Sequence, residues 1–422
     1  MNLPMLINKI KKRFSNEFVR NLSFLAGGEF LNRVFRLVTT VVIARLLSPH
    51  DYGLAAIIFT VREFAVVLSL KFGIASKLIQ ANEKDLDDLI NTSYCLNWIF
   101  CILIFILQCA AAFPLALFYK SNEIILPICV VAFYHLIVPN FVIQWALIER
   151  ENRMNLMALT QTTDSAINNL ITLCLAASGM GLWAIVLPSV ISSPFIWLFF
   201  AYKYSSWRPK RIFTLYRWKE IFVFCRNILT VQLLDNLRNN LDYLIVGRFL
   251  GINALGIYYF AFNAGLGISL SVINSFIIAL LPHLCAARGN LQDLKKRYFD
   301  GLKTIAAVFV PLVIVQSSLA PFYVPIIFGQ KWVVGIPVLV LICLSALPRP
   351  FAIATSTLLQ AIDRTDINVK WSVIFTTIFA LSILIAVKWG IVPVAVAVLV
   401  SHFVAMPIFT IWGARYAIKS NS

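Results

Sequence analysis

Three charged residues, Glu29, Arg33 and Arg36, stand i, i+4, i+7 inside the first hydrophobic stretch of the chain. Asp235, Arg238, Asn239 and Asp242 stand i, i+3, i+4, i+7 half a chain later, with Asn236 and Asn240 adding amides. Such spacings put each set on one helical stripe. A charged side chain at membrane depth costs about 2.5–3.5 kcal/mol on insertion scales, so it faces an aqueous cavity, a partner charge or a substrate. Guanidinium groups stay charged at depth and donate paired hydrogen bonds, which suits them to phosphate oxygens. A rival reading has Glu29 and Arg33 pairing along the helix near the surface, with the arginine snorkelling. Arg36, well inside the hydrophobic stretch, fits that reading poorly.

Further candidates are Arg62 and Glu63, Asp164, and Arg349 in the segment LPRPF. Arg62 and Glu63 are sequence neighbours and point in different directions on a helix, so one cavity cannot take both squarely. Asp164 lies among Gln161, Thr162, Thr163 and Asn168, where it could offset an arginine or carry a coupling ion. Arg349 stands between Pro348 and Pro350, where a disrupted helix frees carbonyls for a hinge or a ligand contact. The expected substrate-binding set is therefore Arg33, Arg36, Arg62, Arg238, Asn239 and Arg349. Glu29, Glu63, Asp164, Asp235 and Asp242 form the set expected to balance charge or couple an ion, H+ or Na+.

Nothing in the chain predicts catalysis. His50, His135, His283 and His402 are scattered, with no HExxH, nucleophile elbow or phosphate-binding glycine loop, so neither a catalytic residue, a metal site nor a cofactor is expected. The pair His50-Asp51 invites comparison with the acidic outer loop of membrane glycosyltransferases, but those enzymes hold their acceptor in a sizeable outer loop or domain. Here every predicted outer connection is short. The eight cysteines form no CxxC pair and fall mostly in apolar stretches, as small packing residues do.

The elements that must carry these residues are membrane spans. With 60% hydrophobic and 13% charged residues the chain is too apolar for a soluble globule, and its mean hydropathy is +0.83. Spans need roughly 20 mainly apolar residues. Blocks of that kind fall near 21–47, 52–76, 90–115, 123–147, 156–178 and 181–202, then near 221–250, 253–284, 300–319, 333–359, 368–388 and 391–415. The basic residues 1–20 precede a stretch too long and too charged for a signal peptide, which predicts a retained first span.

A net charge of +17 could suggest nucleic acid, yet the distribution of charge points to a bilayer instead. Of the 36 Lys and Arg, 24 fall in alternate segments beginning with the N-terminus and only five in the opposite ones. By the positive-inside rule both termini are expected in the cytoplasm, in agreement with an even number of spans. Displacing the chain by 203 residues superimposes Arg45-Leu46-Leu47 on Arg248-Phe249-Leu250 and Gly53 on Gly256. Two six-helix halves of like orientation follow, as in other parallel-repeat transporters. The expected fold is all-α: a polytopic membrane protein of about 12 transmembrane helices in two lobes, 1–202 and 221–422. Between them 203–220 mixes six Lys or Arg with Trp207, Phe213, Tyr216 and Trp218, a composition that predicts an interfacial cytoplasmic linker.

The turn ARLLSPHDYGL (Ala44 to Leu54), the segment FGIASKLIQ (Phe72 to Gln80) and the segment YVPIIFGQKWVVGIPVLVLICL (Tyr323 to Leu344) resemble bacterial polysaccharide flippases of the multidrug/oligosaccharidyl-lipid/polysaccharide exporter superfamily, most closely the colanic-acid type exporters. The resemblance runs through nearly the whole chain. It implies a two-lobed transporter in the bacterial inner membrane that flips a polyprenyl-pyrophosphate-linked oligosaccharide by alternating access, for O-antigen or exopolysaccharide synthesis, beside polysaccharide assembly partners. The matching Arg45, Gly53, Gly329 and Trp332 are turn and packing positions, so the resemblance does not assign the cavity residues. Two rivals stay open: a cation-coupled drug exporter of the same superfamily, and a membrane glycosyltransferase or polymerase. The deep charges, five acidic and five basic, do not exclude the first.

Overall fold

The computed structural model describes residues 35–209, 214–287, 290–362 and 364–419. Every hydropathic block contains helix, and the described residues contain no strand. In chain order the helices are α1 (described over 35–46), α2 (Pro49–Leu68), α3 (Lys71–Gln80), α4 (Leu86–Tyr119), α5 (Ile125–Ala132), α6 (Tyr134–Ile137), α7 (Pro139–Arg150), α8 (Met154–Ala177) and α9 (Trp183–Tyr204). There follow α10 (Trp218–Leu250), α11 (Ile252–Cys285), α12 (Leu291–Tyr323), α13 (Ile336–Ser345), α14 (Arg349–Ala361), α15 (Thr365–Ala386) and α16 (Ile391–Lys419). By length and composition seven of the described helical stretches can cross a membrane, and the bent pair Asn122–Ile137 with Pro139–Arg150 makes an eighth. The chain is a multi-pass membrane protein. Helices α8, α10 and α11 fall outside that set, and α8 and α10 carry the polar runs QTTDSAINN and DNLRNNLD.

Local chemistry explains the boundaries. Helix α2 opens on a capping box, in which the Ser48 hydroxyl accepts from the Asp51 N–H at 3.1 Å and the Asp51 carboxylate accepts from the Ser48 N–H at 3.0 Å. Pro49 fills the first helical position, where a missing N–H costs nothing. Asn290 caps α12 by accepting from the N–H groups of Gln292 and Asp293. The fourth block breaks by 54° ahead of Pro139, which cannot donate to the turn before it. The Asn140 amide replaces part of what is lost, donating to the carbonyls of Ile137 at 3.2 Å and Leu136 at 3.5 Å.

The chain packs as two compact units, one holding the residues up to Leu47 and Ile58–Leu233, the other Ser48–Ile57 and the residues from Leu234. In the first, Ile74, Leu78, Phe141, Ile143 and Ile221 form a core closed to solvent. Arg150 pins its polar end, donating to the carbonyls of Leu78, Ile79 and Ala81 at 2.8, 3.1 and 2.6 Å. Its pair with Glu83, at 2.7 Å, involves a carboxylate 83% exposed and adds little. Arg150→Ala is expected to lower stability by about 2 kcal/mol through the stranded carbonyls, while Glu83→Gln costs under about 0.5 kcal/mol. Thermal unfolding in detergent checks the contrast.

In the second unit the repeat-related glycines meet. A Cβ on Gly53 would overlap the Ile252 carbonyl oxygen, and one on Gly256 would overlap that of Pro49. Each glycine thus faces the carbonyl four residues ahead of the other. The crossing of α2 and α11 is as symmetric as the sequence repeat. Around it Trp332, fully buried, stacks on Phe260 at 4.0 Å and meets Tyr52 edge-on at 4.9 Å.

Candidate functional site

Residues of four helices, all within the first unit, line an open cavity of about 290 Å3. Helix α1 contributes Arg36, Thr39, Thr40 and Ile43, a stripe at i, i+3, i+4, i+7. Helix α2 contributes Phe59 and Arg62, one turn apart. From α8 come Asn168, Asn169 and Thr172, and from α9 Ile185, Ser189 and Ser193, again on one stripe. Among the described residues two arginines line the cavity and no carboxylate does. At roughly 30 Å3 per liquid water the space suits one phosphate group with part of a sugar, or about ten waters.

The walls are held by polar contacts between and within the helices. The Asn168 amide donates to the hydroxyls of Ser193 at 2.8 Å and Ser192 at 3.4 Å, tying α8 to α9. Ser192 in turn bonds the Pro188 carbonyl at 2.7 Å. Within α9 the Ser189 hydroxyl likewise donates to the Val186 carbonyl at 2.8 Å, so the serines between Pro188 and Pro194 bond back to the preceding turn. Asp164, one turn from Asn168, stands outside the lining: one carboxylate oxygen accepts from the Trp197 indole at 3.0 Å, and the other is enclosed without a partner. Arg62 lays its guanidinium over the ring of Tyr134, 5.0 Å from the centroid. Its Nε is enclosed and unbonded. Arg36 is exposed on the opposite wall.

Of the residues singled out from sequence, the cavity brings together Arg36 and Arg62. Glu63 takes an exposed position away from the lining, the divergence that adjacent helical residues impose. Glu29 and Arg33 lie outside the described residues. Arg238, Asn239, Arg349, Asp235 and Asp242 belong to the second unit. There Arg238 pairs with Asp235 at 2.9 Å and donates to the Ser372 hydroxyl at 3.0 Å, while Asn239 is exposed. Asp242, 4% exposed, accepts from the Tyr258 hydroxyl at 2.8 Å and from the Tyr243 N–H at 3.0 Å. Arg349 is half-buried with an enclosed, unbonded Nε, and Asp242 is the main opposing charge acting on it. Sequence reasoning did not single out Thr39, Thr40, Thr172, Ser189 or Ser193. The signal was present for α1, because Thr39, Thr40 and Ile43 continue the stripe that Arg36 opens.

Residues 42–337 match the family model described as polysaccharide biosynthesis protein. The teichuronic acid biosynthesis protein TuaB of Bacillus subtilis is 25% identical over 84% of this chain and 73% of its own length. The lipopolysaccharide biosynthesis protein WzxC of Escherichia coli is 25% identical over 83% of this chain and 71% of its own. Among solved structures, an inward-facing multidrug transporter of the MATE family, MOP superfamily, superimposes with a TM-score of 0.74 at 15% identity, covering 92% of this chain and 95% of that one. The lipid II flippase MurJ, inward closed, gives 0.73 at 15% identity, covering 94% and 89%. At that identity the structural likenesses speak for the fold alone.

Proposed function

Because the chain belongs to the polysaccharide biosynthesis protein family, we propose that it is a transporter that flips a polyprenyl-pyrophosphate-linked oligosaccharide repeat unit from the inner to the outer leaflet of the bacterial cytoplasmic membrane. The observation that carries this reading is the cavity whose lining, among the described residues, holds two arginines, five amide or hydroxyl side chains besides Thr39 and Thr40, and no acid. Arg36 and Arg62 face the pyrophosphate; Asn168, Asn169, Ser189 and Ser193 offer donors and acceptors to sugar hydroxyls; the polyprenyl tail stays in the bilayer. The cycle is alternating access in a chain of twelve spans with cytoplasmic termini, the cavity opening first inward and then outward. Should a cation drive it, the buried Asp242 with its Tyr258 partner is the group assigned to carry H+ or Na+. An exporter of organic cations needs acid where its cargo sits, and the described residues of this lining include none.

Proteoliposomes containing the purified chain and a fluorescently labelled polyprenyl-pyrophosphate sugar test the reading. The expected result is that a membrane-impermeant quencher reaches the whole labelled pool, whereas in protein-free vesicles the inner leaflet stays protected. Equal protection in both would remove the assignment, and accumulation of an organic cation in the same vesicles would favour a drug exporter.

A further inference from the structure

The broken fourth block places a fully buried histidine behind the cavity arginine. His135 on α6 is 0% exposed, and both of its ring nitrogens are enclosed without a hydrogen-bond partner. Its neighbour Tyr134, 5.7 Å away ring to ring and nearly perpendicular, is the residue whose face supports Arg62. The charge acting on the His135 ring is the Arg62 guanidinium. Arg62 in turn keeps an enclosed Nε–H with no acceptor. A neutral imidazole offers one acceptor nitrogen and one N–H, so the orphaned donor of Arg62 and the orphaned acceptor of His135 are complementary. Buried polar groups are nearly always paired in native structures, in one functional state or another.

We infer that His135 is the positioning residue for Arg62: its unprotonated ring nitrogen accepts the Arg62 Nε–H when the two terminal nitrogens of the guanidinium engage an anionic phosphate. The inference rests on the cavity reading given under Proposed function. Tyr134 holds the plane of the guanidinium and His135 fixes its rotation, so the paired donors present themselves to two oxygens of one phosphate. Tyr134 and His135 stand together in the short helix α6, which ends just ahead of the break at Pro139. A bland alternative, an imidazole packed only for its shape, leaves three polar atoms permanently unsatisfied.

Titration of the full-length protein in lipid nanodiscs with farnesyl pyrophosphate separates the cases. Variants are Arg62→Ala, His135→Phe, His135→Gln and the double Arg62→Ala/His135→Phe, with melting midpoints measured alongside. His135→Phe is expected to weaken the probe roughly tenfold, the loss of one hydrogen bond to a charged group. His135→Gln, whose amide oxygen can accept the same N–H, is expected to stay within about threefold of wild type. The double variant should bind no more weakly than Arg62→Ala alone. Additive losses, or a His135→Phe protein that binds as wild type does, overturn the positioning role while leaving the cavity reading intact. An Arg62→Ala protein with unchanged affinity overturns both. If His135→Phe fails to fold, His135→Leu, which equally lacks an acceptor, takes its place in the same cycle with Arg62→Ala: a roughly tenfold loss supports the positioning role and binding as wild type overturns it.

Discussion

Cells that depend on this chain and carry Arg36→Ala together with Arg62→Ala are expected to accumulate unflipped lipid-linked oligosaccharide, with transport down roughly 100- to 1,000-fold. The two arginines should contribute unequally. Arg62 is half-buried against Tyr134, where few waters compete for its donors, so its loss alone should lower the flipping rate about 30- to 100-fold. Arg36 is exposed and its charge screened, so Arg36→Ala should cost only about 3- to 10-fold. Substitution by lysine sharpens the distinction. At Arg36 a point charge suffices and Arg36→Lys should transport nearly normally, whereas Arg62→Lys loses the planar fork that lies on the Tyr134 ring and should behave much as the alanine variant does. Radiolabelled glycolipid extracted from spheroplasts measures the accumulated pool. A double variant within twofold of wild type, at equal membrane abundance, would leave the carboxylate-free cavity with no part in transport.

Much of this arrangement was legible in the sequence, because period and polarity are local properties. The twelve blocks each hold helix among the described residues, and the i, i+3, i+4, i+7 spacing that grouped Asp235, Arg238, Asn239 and Asp242 falls within the single helix α10. The rule that adjacent helical residues diverge separated Arg62 from Glu63 correctly. What period cannot tell is which stripe meets which. Ser189 and Ser193 look like ordinary small residues in an apolar span, and become cavity walls only because Asn168 bonds α9 from across the contact. Asp164 drew attention as a charge, yet the indole of Trp197, 33 residues on, takes it out of the lining. His135 looked like one of four scattered histidines because the link inferred to Arg62 runs past the face of Tyr134, a tertiary contact that leaves no spacing motif.

Alanine at Gly256 is expected to be among the most damaging small substitutions in the chain. The new Cβ would coincide with the Pro49 carbonyl oxygen and stand 2.9 Å from the Gly53 nitrogen, and both obstacles are backbone. A flexible side chain could swing away; a helix end cannot. Helices α2 and α11 would have to part, and with them the contacts of Tyr52 with Phe260 at 6.2 Å and with Trp332 at 4.9 Å. Overpacking of this kind costs about 1–3 kcal/mol and more where aromatic packing opens as well. Gly53→Ala should cost a similar amount, since its Cβ meets the Ile252 carbonyl oxygen and the Ile252 methyl at 2.7 Å. Because both act on one crossing, the double variant should lose clearly less than the sum: once the helices have separated for one methyl, the second finds room. Gly251→Ala is the control. Its φ of +87° carries backbone strain, but nothing lies within 4 Å of an added Cβ, so only about 1 kcal/mol should go. Melting midpoints in one detergent rank the four proteins. If Gly256→Ala melts with wild type, or the two glycine variants add in full, the close crossing built by the sequence repeat is not what holds these helix ends together.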